Sequence, residues 1–425
     1  MEPVLQIALD FVDLDRALRI AKESVAGGVD WLEAGTPLIK SEGLDSVREL
    51  RRLFPNNKII ADMKVMDTGR VEVEAAARAG ANIVTVLAAA DNSTIIEAID
   101  AAKNIGCEIM VDLIGAKDPP ARAKEVEALG ANYVCMHLSI DMQMKGLDVL
   151  SNLQKVAKAI KIPVAAAGGL TSETAPKAIK AGAKIIIVGG SITKSSNVTK
   201  AAREVKAAMK TGKSGKSTLS KKTTDPLTAF SKVSAANVSD AMHRSGEMKG
   251  IRCISGTKVC GPALTVRTSA GDWEKPVEAI DLAEPGDVIV IDVGGSDVAV
   301  WGELATNSCI TRKVAGVVID GAARDIGDIK KLKFPLFAKY ETPTAGEPKG
   351  FGEINVAIKC GGQTVKPGDY IIGDEDGVVV VPKEKAVEVA NRALDILEKE
   401  NKTRNEIKKG STLAQAAQIK KWCCK

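Results

Sequence analysis

Residues 58–67 read KIIADMKVMD. The apolar start is that of a buried strand, and the end places Asp62, Lys64 and Asp67 where that strand should stop. The same pattern recurs along residues 1–209: VLQIALD (4–10), WLEAGTP (31–37), IVTVLAA (83–89), EIMVDLIG (108–115), YVCMHLS (133–139), PVAAAGG (163–169) and KIIIVGG (184–190). Helical patterns such as LDRALRIAKESVAGG (14–28) and TAPKAIKAG (174–182) fill the gaps, at a spacing of about 25 residues. Apolar runs that alternate with helices predict parallel strands buried on both faces. Eight such units are the count of a (β/α)8 barrel; a doubly wound sheet is the alternative, and the regular count favours the barrel.

Composition narrows the class. At 425 residues the chain exceeds one core, so two domains are expected. With 45% hydrophobic, 27% charged and only 3% aromatic residues, the cores must be aliphatic. A net charge of +5 is mild and argues against a dedicated nucleic-acid binder. No apolar run is long enough for a membrane span. The start, MEPVLQIALD, lacks the basic region of a signal peptide, and the eight cysteines include no CxxC pair. A reduced, cytoplasmic protein is expected. Cys423 and Cys424 are read as free thiols of a frayed terminus.

Residues 210–225, KTGKSGKSTLSKKTTD, read as a solvated linker. The segment imitates a phosphate-binding loop at Gly215-Lys216-Ser217, but the glycine the pattern needs is Lys210, and no buried strand precedes it. Its lysines come without an aromatic to stack on a base, so nucleic-acid binding is not expected. Residues 226–425 predict a mixed α/β domain: a helical start over 226–246, strands KVCGPALTVRT (258–268), DVIVIDVGG (287–295), AGVVIDG (315–321), PLFAKYE (335–341), TVKPGDYIIGD (364–374) and GVVVVP (377–382), and a closing helix over 383–410. His243 is read as a surface helix residue.

In a barrel, catalytic groups gather at the C-terminal strand ends. Alternation places Asp62 and Lys64 on one face, pointing into the mouth, with Asp67 in the loop beyond. Asp10 closes the first strand, Glu33 lies in the second, Asp112 in the fifth, and His137 near the end of the sixth. Gly168-Gly169 and Gly189-Gly190 end the last two strands, where barrels commonly hold a phosphate. Glu33 and Asp62, on neighbouring strands, are hard oxygen ligands suited to Mg²⁺. Taken singly, a strand-end Asp is a helix cap, a histidine a satisfied core residue and a glycine pair a turn. Gathered in one mouth, they point to a site.

These runs resemble a known family. ALD, EAGTPLIK, ADMKVMDTG, VDLIG, HLSIDMQ, AAGGL and IIIVGGSIT are similar to the corresponding segments of 3-hexulose-6-phosphate synthase, of the orotidine 5′-monophosphate decarboxylase superfamily. The resemblance implies a Mg²⁺-dependent, reversible aldol addition of formaldehyde to D-ribulose 5-phosphate. It implies that Glu33 and Asp62 hold Mg²⁺ or another divalent metal, that His137 moves the C1 proton and that Lys64 binds substrate oxygens. Asp67 would reach the neighbouring subunit's site in a dimer. The nearest alternative is 3-keto-L-gulonate 6-phosphate decarboxylase; it carries arginines where this chain has Ile140 and Gly190, which favours the synthase.

Residues 226–400 resemble the RraA-like family, which includes 4-hydroxy-4-methyl-2-oxoglutarate aldolases and regulators of ribonuclease E. The motifs are VSDAM, GPALTV, DVIVIDVGG, AVWGELATNSCITRKVAGVVIDGAARD and PGDYIIGDEDGVVVVP. The likeness implies a swivelling β/β/α domain. Arg324 and Asp325 would bind pyruvate and a divalent metal, and the backbone of Gly302, Glu303, Leu304 and Ala305 would cradle the carboxylate. A trimer is one assembly it allows. Two roles follow: a lyase, or a regulatory module that binds a partner.

Overall fold

The computed structural model describes residues 2–215 and 223–417; the tail cysteines Cys423 and Cys424 and the Lys216-Ser217 step lie outside the described residues. Eight parallel strands close into a barrel in chain order: β1 (Val4–Leu9), β2 (Trp31–Ala34), β3 (Lys58–Val65), β4 (Ile83–Leu87), β5 (Glu108–Asp112), β6 (Tyr133–His137), β7 (Val164–Ala167) and β8 (Ile185–Val188). All eight runs read from the sequence are strands, and β8 pairs back on β1.

Alternation sorts the barrel's side chains into two cores. Leu5, Ile7, Leu9, Leu32, Ile59, Val84 and their kind face the surrounding helices. Ala8, Ile60, Ile83, Met110, Cys135, Ala165 and Ile185 fill the interior. The strands' N-terminal end holds a polar group: Lys58 Nζ lies 2.6 Å from Glu108 Oε2 and 5.1 Å from the centre of the Trp31 ring. Tyr133 Oη donates to Glu108 Oε1 at 3.1 Å. The partners satisfy one another there, so the chemistry is left to the other end.

The second sheet contains β9 (Arg252–Ser255), β10 (Lys258–Thr268), β11 (Val288–Asp292), β12 (Gly316–Ala323), β13 (Leu336–Glu341), β14 (Gly352–Ile354), β17 (Tyr370–Asp374) and β18 (Gly377–Val381). Its order is β18-β17-β10-β11-β12-β13-β9, with β14 on β10; β15 (Ile358–Cys360) and β16 (Gln363–Val365) form a separate pair. β10 to β13 are parallel, the remaining pairs antiparallel. The short strands β9, β14, β15 and β16 have three or four residues each, too few to show a period in the sequence. His243 is exposed, as read, but it follows the helix Ala235–Ala241 in a left-handed turn (φ 58°) rather than lying in it.

The chain divides into two compact units. One comprises Met1–Gln143, Leu147–Lys221 and Glu398–Lys425; the other, Met144–Gly146 and Lys222–Leu397. The expected C-terminal helix is Ala386–Lys408, but from Glu398 its residues belong with the barrel. Arg16 pairs with Glu406 at 3.1 Å there. Among the described residues, no helix is long and apolar enough to cross a membrane.

Leu32 has no exposed surface and packs in the outer core. Leu32→Ala should lower stability by about 2–5 kcal/mol, read as an earlier first transition in calorimetry.

Candidate active site

The barrel mouth is organised around β3. Its register against β4 passes from Ala61↔Val84 to Val65↔Val86, so three residues of β3 oppose Thr85 alone. Lys64 sits in this bulge with φ 50°. Left-handed backbone costs a non-glycine residue about 1–2 kcal/mol. Ile59, Ala61, Met63 and Val65 face the outer core, so alternation sets Ile60, Asp62 and Lys64 on the inner face as expected; the bulge adjusts how Lys64 approaches, as bulges do beside active sites. Thr85 fixes the bulge: its hydroxyl donates to Asp62 Oδ1 at 2.7 Å and accepts from the Lys64 N–H at 3.1 Å. The Thr36 hydroxyl lies 2.7 Å from Asp62 Oδ2.

Lys64 Nζ then stands 3.0 Å from the Asp62 carboxylate and 3.0 Å from Asp112 Oδ2. Burial alone would discourage its charge, but the charges of Asp112 and Asp62 outweigh burial and raise its pKa. Asp112, on β5, also meets His137 Nδ1 at 2.8 Å and accepts from the Ile114 N–H at 2.9 Å. Burial works against this carboxylate too; the His137 bond and charge, then Lys64, overcome it and hold its pKa at about 2.

Two further acids behave in the opposite way. Glu33, buried on β2, is pushed well above the usual carboxylate range by burial and by the charges of Asp62 and Asp10. Gln6 Nε2 donates to it. Asp10, at the exposed rim, is raised by lost hydration around its carboxylate and by the charge of Asp62. Asp10 lies between two glycines: a Cβ on Gly35 would collide with its Oδ1, and one on Gly189 would lie 3.8 Å from its Oδ2.

Gly168 (φ 108°) and Gly169 (φ 68°) end β7 in backbone that favours glycine, and a Cβ on Gly168 would stand 2.5 Å from the Leu138 carbonyl. Gln143 donates to that carbonyl at 2.9 Å and lies over the glycine pair. Gly189 and Gly190 end β8 and open the short helix Gly190–Thr193.

The second unit has its own cluster. Gly302 caps the helix Glu303–Arg312, whose first N–H, from Glu303, donates to Asp325 Oδ2 at 3.2 Å. Arg324 Nε lies 3.6 Å from the same oxygen. Asp325 has φ 58°, and a Cβ on Gly302 would stand 2.6 Å from its Oδ2. Leu304 is exposed and Ala305 half-buried on the same helix.

Two family models match the chain. Residues 3–205 match "Orotidine 5′-phosphate decarboxylase / HUMPS family", and residues 235–380 match "RraA-like: Aldolase/RraA". A 3-hexulose-6-phosphate synthase of Bacillus subtilis is 41% identical over 45% of this chain and 92% of its own. A namesake from Mycobacterium gastri is 43% identical over 44% of this chain and 90% of its own. The chain belongs to the orotidine 5′-phosphate decarboxylase / HUMPS family. A crystal structure of a 3-hexulose-6-phosphate synthase, 41% identical, covers 48% of this chain and 99% of its own, with a TM-score of 0.46. The barrel of this HUMPS-family chain is that of a lyase, fused to an Aldolase/RraA domain.

Within this HUMPS barrel the structure brings together Asp10, Glu33, Asp62, Lys64 and His137. Asp67 stays on the exposed rim, its carboxylate accepting from the Thr68 N–H at 2.7 Å. Sequence reasoning placed Asp112 in β5 but gave it no role, and it missed Thr36, Thr85 and Gln6. Register is what brings Asp112 in: it aligns with Cys135, two residues before His137 on the next strand.

The donor set fits a divalent cation at Glu33 and Asp62. Both are hard carboxylates crowded by further acids. Asp62 accepts three hydrogen bonds of about four it can take, leaving a lone pair free. Beside Glu33, the buried Gln6 Oε1 has no hydrogen-bond partner. Another trio, Asp112, Cys135 and His137, also has ligand atoms within 4.8 Å of one another. It suits a metal less well, because burial drives the Cys135 thiol well up and Asp112 Oδ2 is committed to Lys64 and His137.

The depressed Asp112 pKa gives a test. Its stabilising effect is complete above the unfolded value of 3.8 and is lost as pH falls towards about 2. Asp112→Asn should remove this dependence, on the order of 2 kcal/mol, so acid titrations followed by circular dichroism should be shallower in the variant across that window.

Proposed function

We propose that the barrel adds formaldehyde to D-ribulose 5-phosphate, giving 3-hexulose 6-phosphate, and that it runs in either direction. The observation that carries this reading is the Lys64–Asp112–His137 relay beside the Glu33–Asp62 pair. The names of the relatives over the whole barrel support it.

The chain's own groups divide the work. The glycine pairs at 168–169 and 189–190 receive the phosphate through backbone N–H groups. Asp112, anionic, accepts a hydrogen bond from His137 Nδ1–H in this reading, which leaves Nε2 as the basic nitrogen. Nε2 takes the C1 proton of the pentulose phosphate and returns one in the reverse direction. Lys64, held charged, donates to the substrate oxygen where negative charge develops. The carbon nucleophile then attacks formaldehyde: the C–C bond forms as the C=O π bond opens, and the resulting alkoxide takes the proton held on Nε2. Asp10 lies at the mouth to bind a substrate hydroxyl. Mg²⁺ held by Glu33 and Asp62 would supply Lewis-acid stabilisation of the same charge. Asp67, exposed on the rim, is placed to serve a second copy in a dimer.

For the second unit we infer a separate site at Arg324, Asp325 and Gly302–Ala305 for a 2-oxo acid, with a divalent metal at Asp325. Its guanidinium and carboxylate already share one edge of the helix start.

The deciding assay follows formaldehyde consumption with ribulose 5-phosphate on the full chain, with and without Mg²⁺. Metal-dependent consumption is expected. Turnover of 3-keto-L-gulonate 6-phosphate instead would overturn the reading in favour of the decarboxylase. Asp62→Ala should cost at least about 100-fold in kcat with the fold retained, since it removes a ligand and a Lys64 partner together. Arg324→Ala should leave formaldehyde consumption unchanged, measured in the same assay.

A further inference from the structure

Residues 398–417 pack with the barrel, although the eight strand–helix units are complete without them. Two side chains tie them down. Lys402 Nζ donates to the carbonyl of Thr193, the last residue of the short helix after β8. Arg16, in the helix Leu14–Ala26 after β1, pairs with Glu406 at 3.1 Å and lies 3.4 Å from the Ala416 carbonyl. β1 and β8 are neighbours, and their ends carry Asp10 and Gly189–Gly190. The segment thus holds the elements that follow the two strands on one side of the mouth.

Lys402 is half-buried among charges of both signs. Burial, then Arg16, and later Arg19 disfavour its ammonium, while Glu406 and Glu23 favour it; the balance brings its pKa down to about 8. A cation kept at such a cost is well placed at the C-terminal end of a helix, where carbonyls lack intrahelical partners. The four-residue helix Gly190–Thr193 is held at its start by Ser191 Oγ, which donates to the Leu170 carbonyl at 2.9 Å, and by Ile192 in the outer core; Lys402 adds the tie at its C-terminal end.

We propose that Lys402 is a positioning residue for the phosphate loop: through the Thr193 carbonyl, and anchored by the Arg16–Glu406 pair, it holds Gly189–Thr193 in the conformation that receives the sugar phosphate. This rests on reading Gly189–Gly190 as the phosphate cradle. The chain's C-terminal segment is then part of the barrel's substrate site.

Full-length Lys402→Ala, Lys402→Met and Lys402→Arg test it by two independent readouts. Amide exchange over 189–194 should quicken in the Ala and Met chains and return to wild type in the Arg chain. KM for ribulose 5-phosphate should rise about fivefold, the scale of one ordinary hydrogen bond felt indirectly through the loop. kcat and KM for formaldehyde should stay near wild type, a split that general destabilisation would not give. Unchanged exchange over 189–194 in Lys402→Met, which keeps the stem packed, would overturn the proposal whatever the activity. Unchanged KM with faster exchange would overturn its link to phosphate binding. A wild-type chain inactive on formaldehyde but showing the exchange effect would refute the barrel's proposed reaction and leave the positioning role standing.

Discussion

One buried ammonium organises the mouth. Lys64 can stay charged below the rim only because Asp62 and Asp112 both reach it at 3.0 Å. Removing a charge of this kind from water costs several kcal/mol unless partners offset it. Everything nearby follows from meeting that need. The β3 bulge seats Lys64 on the inner face, Thr85 clips the bulge to Asp62, and Asp112 joins Lys64 to His137. A single ion therefore links backbone strain on one strand to the placement of an imidazole three strands away.

The four acids at the mouth do not share one character. Asp112 is held down to about 2 by His137 and Lys64, against its burial. Glu33 and Asp10 are driven up by lost hydration and by the charge of Asp62. Pairs of titratable groups pushed apart in this way mark where acid–base roles divide. Two carboxylates serve the lysine. The others form an anionic excess that the chain's own cations do not balance. Such an excess favours a divalent cation or a substrate rich in hydroxyl groups over a bare anion, so the phosphate must be met elsewhere, at the glycine ends of β7 and β8.

Much of this was legible in the sequence. Period and count gave all eight barrel strands, because runs such as KIIADMK and KIIIVGG are buried on both faces and bounded by glycine or proline. The charged residues of the mouth stood at strand ends. What escaped was relational. The period sets Lys64 on the face of Asp62, but the bulge that seats it leaves no mark in a two-residue period. Asp112 reads as one more strand residue until register sets it beside His137. Thr36, Thr85 and Gln6 act by hydrogen bonds across strands, and sequence order does not show which strand ends meet. The short strands β9, β14, β15 and β16 were missed for lack of length. The last turns of the C-terminal helix looked like part of the second unit because its amphipathic pattern does not reveal which core it covers.

The glycines make the same point in steric terms. Gly35 has φ −65° and Gly302 has φ −153°, both ordinary values for any residue. Neither is needed for backbone freedom. Each is needed because a carboxylate occupies the place of its Cβ: Asp10 at Gly35 and Asp325 at Gly302. An alanine at either position would displace a charged group from its site rather than strain a turn. In both halves of the chain the acid is visible in the sequence. The space that admits it is recorded only as a glycine, in EAGTP and in WGELA, and takes on meaning once the strands are assembled.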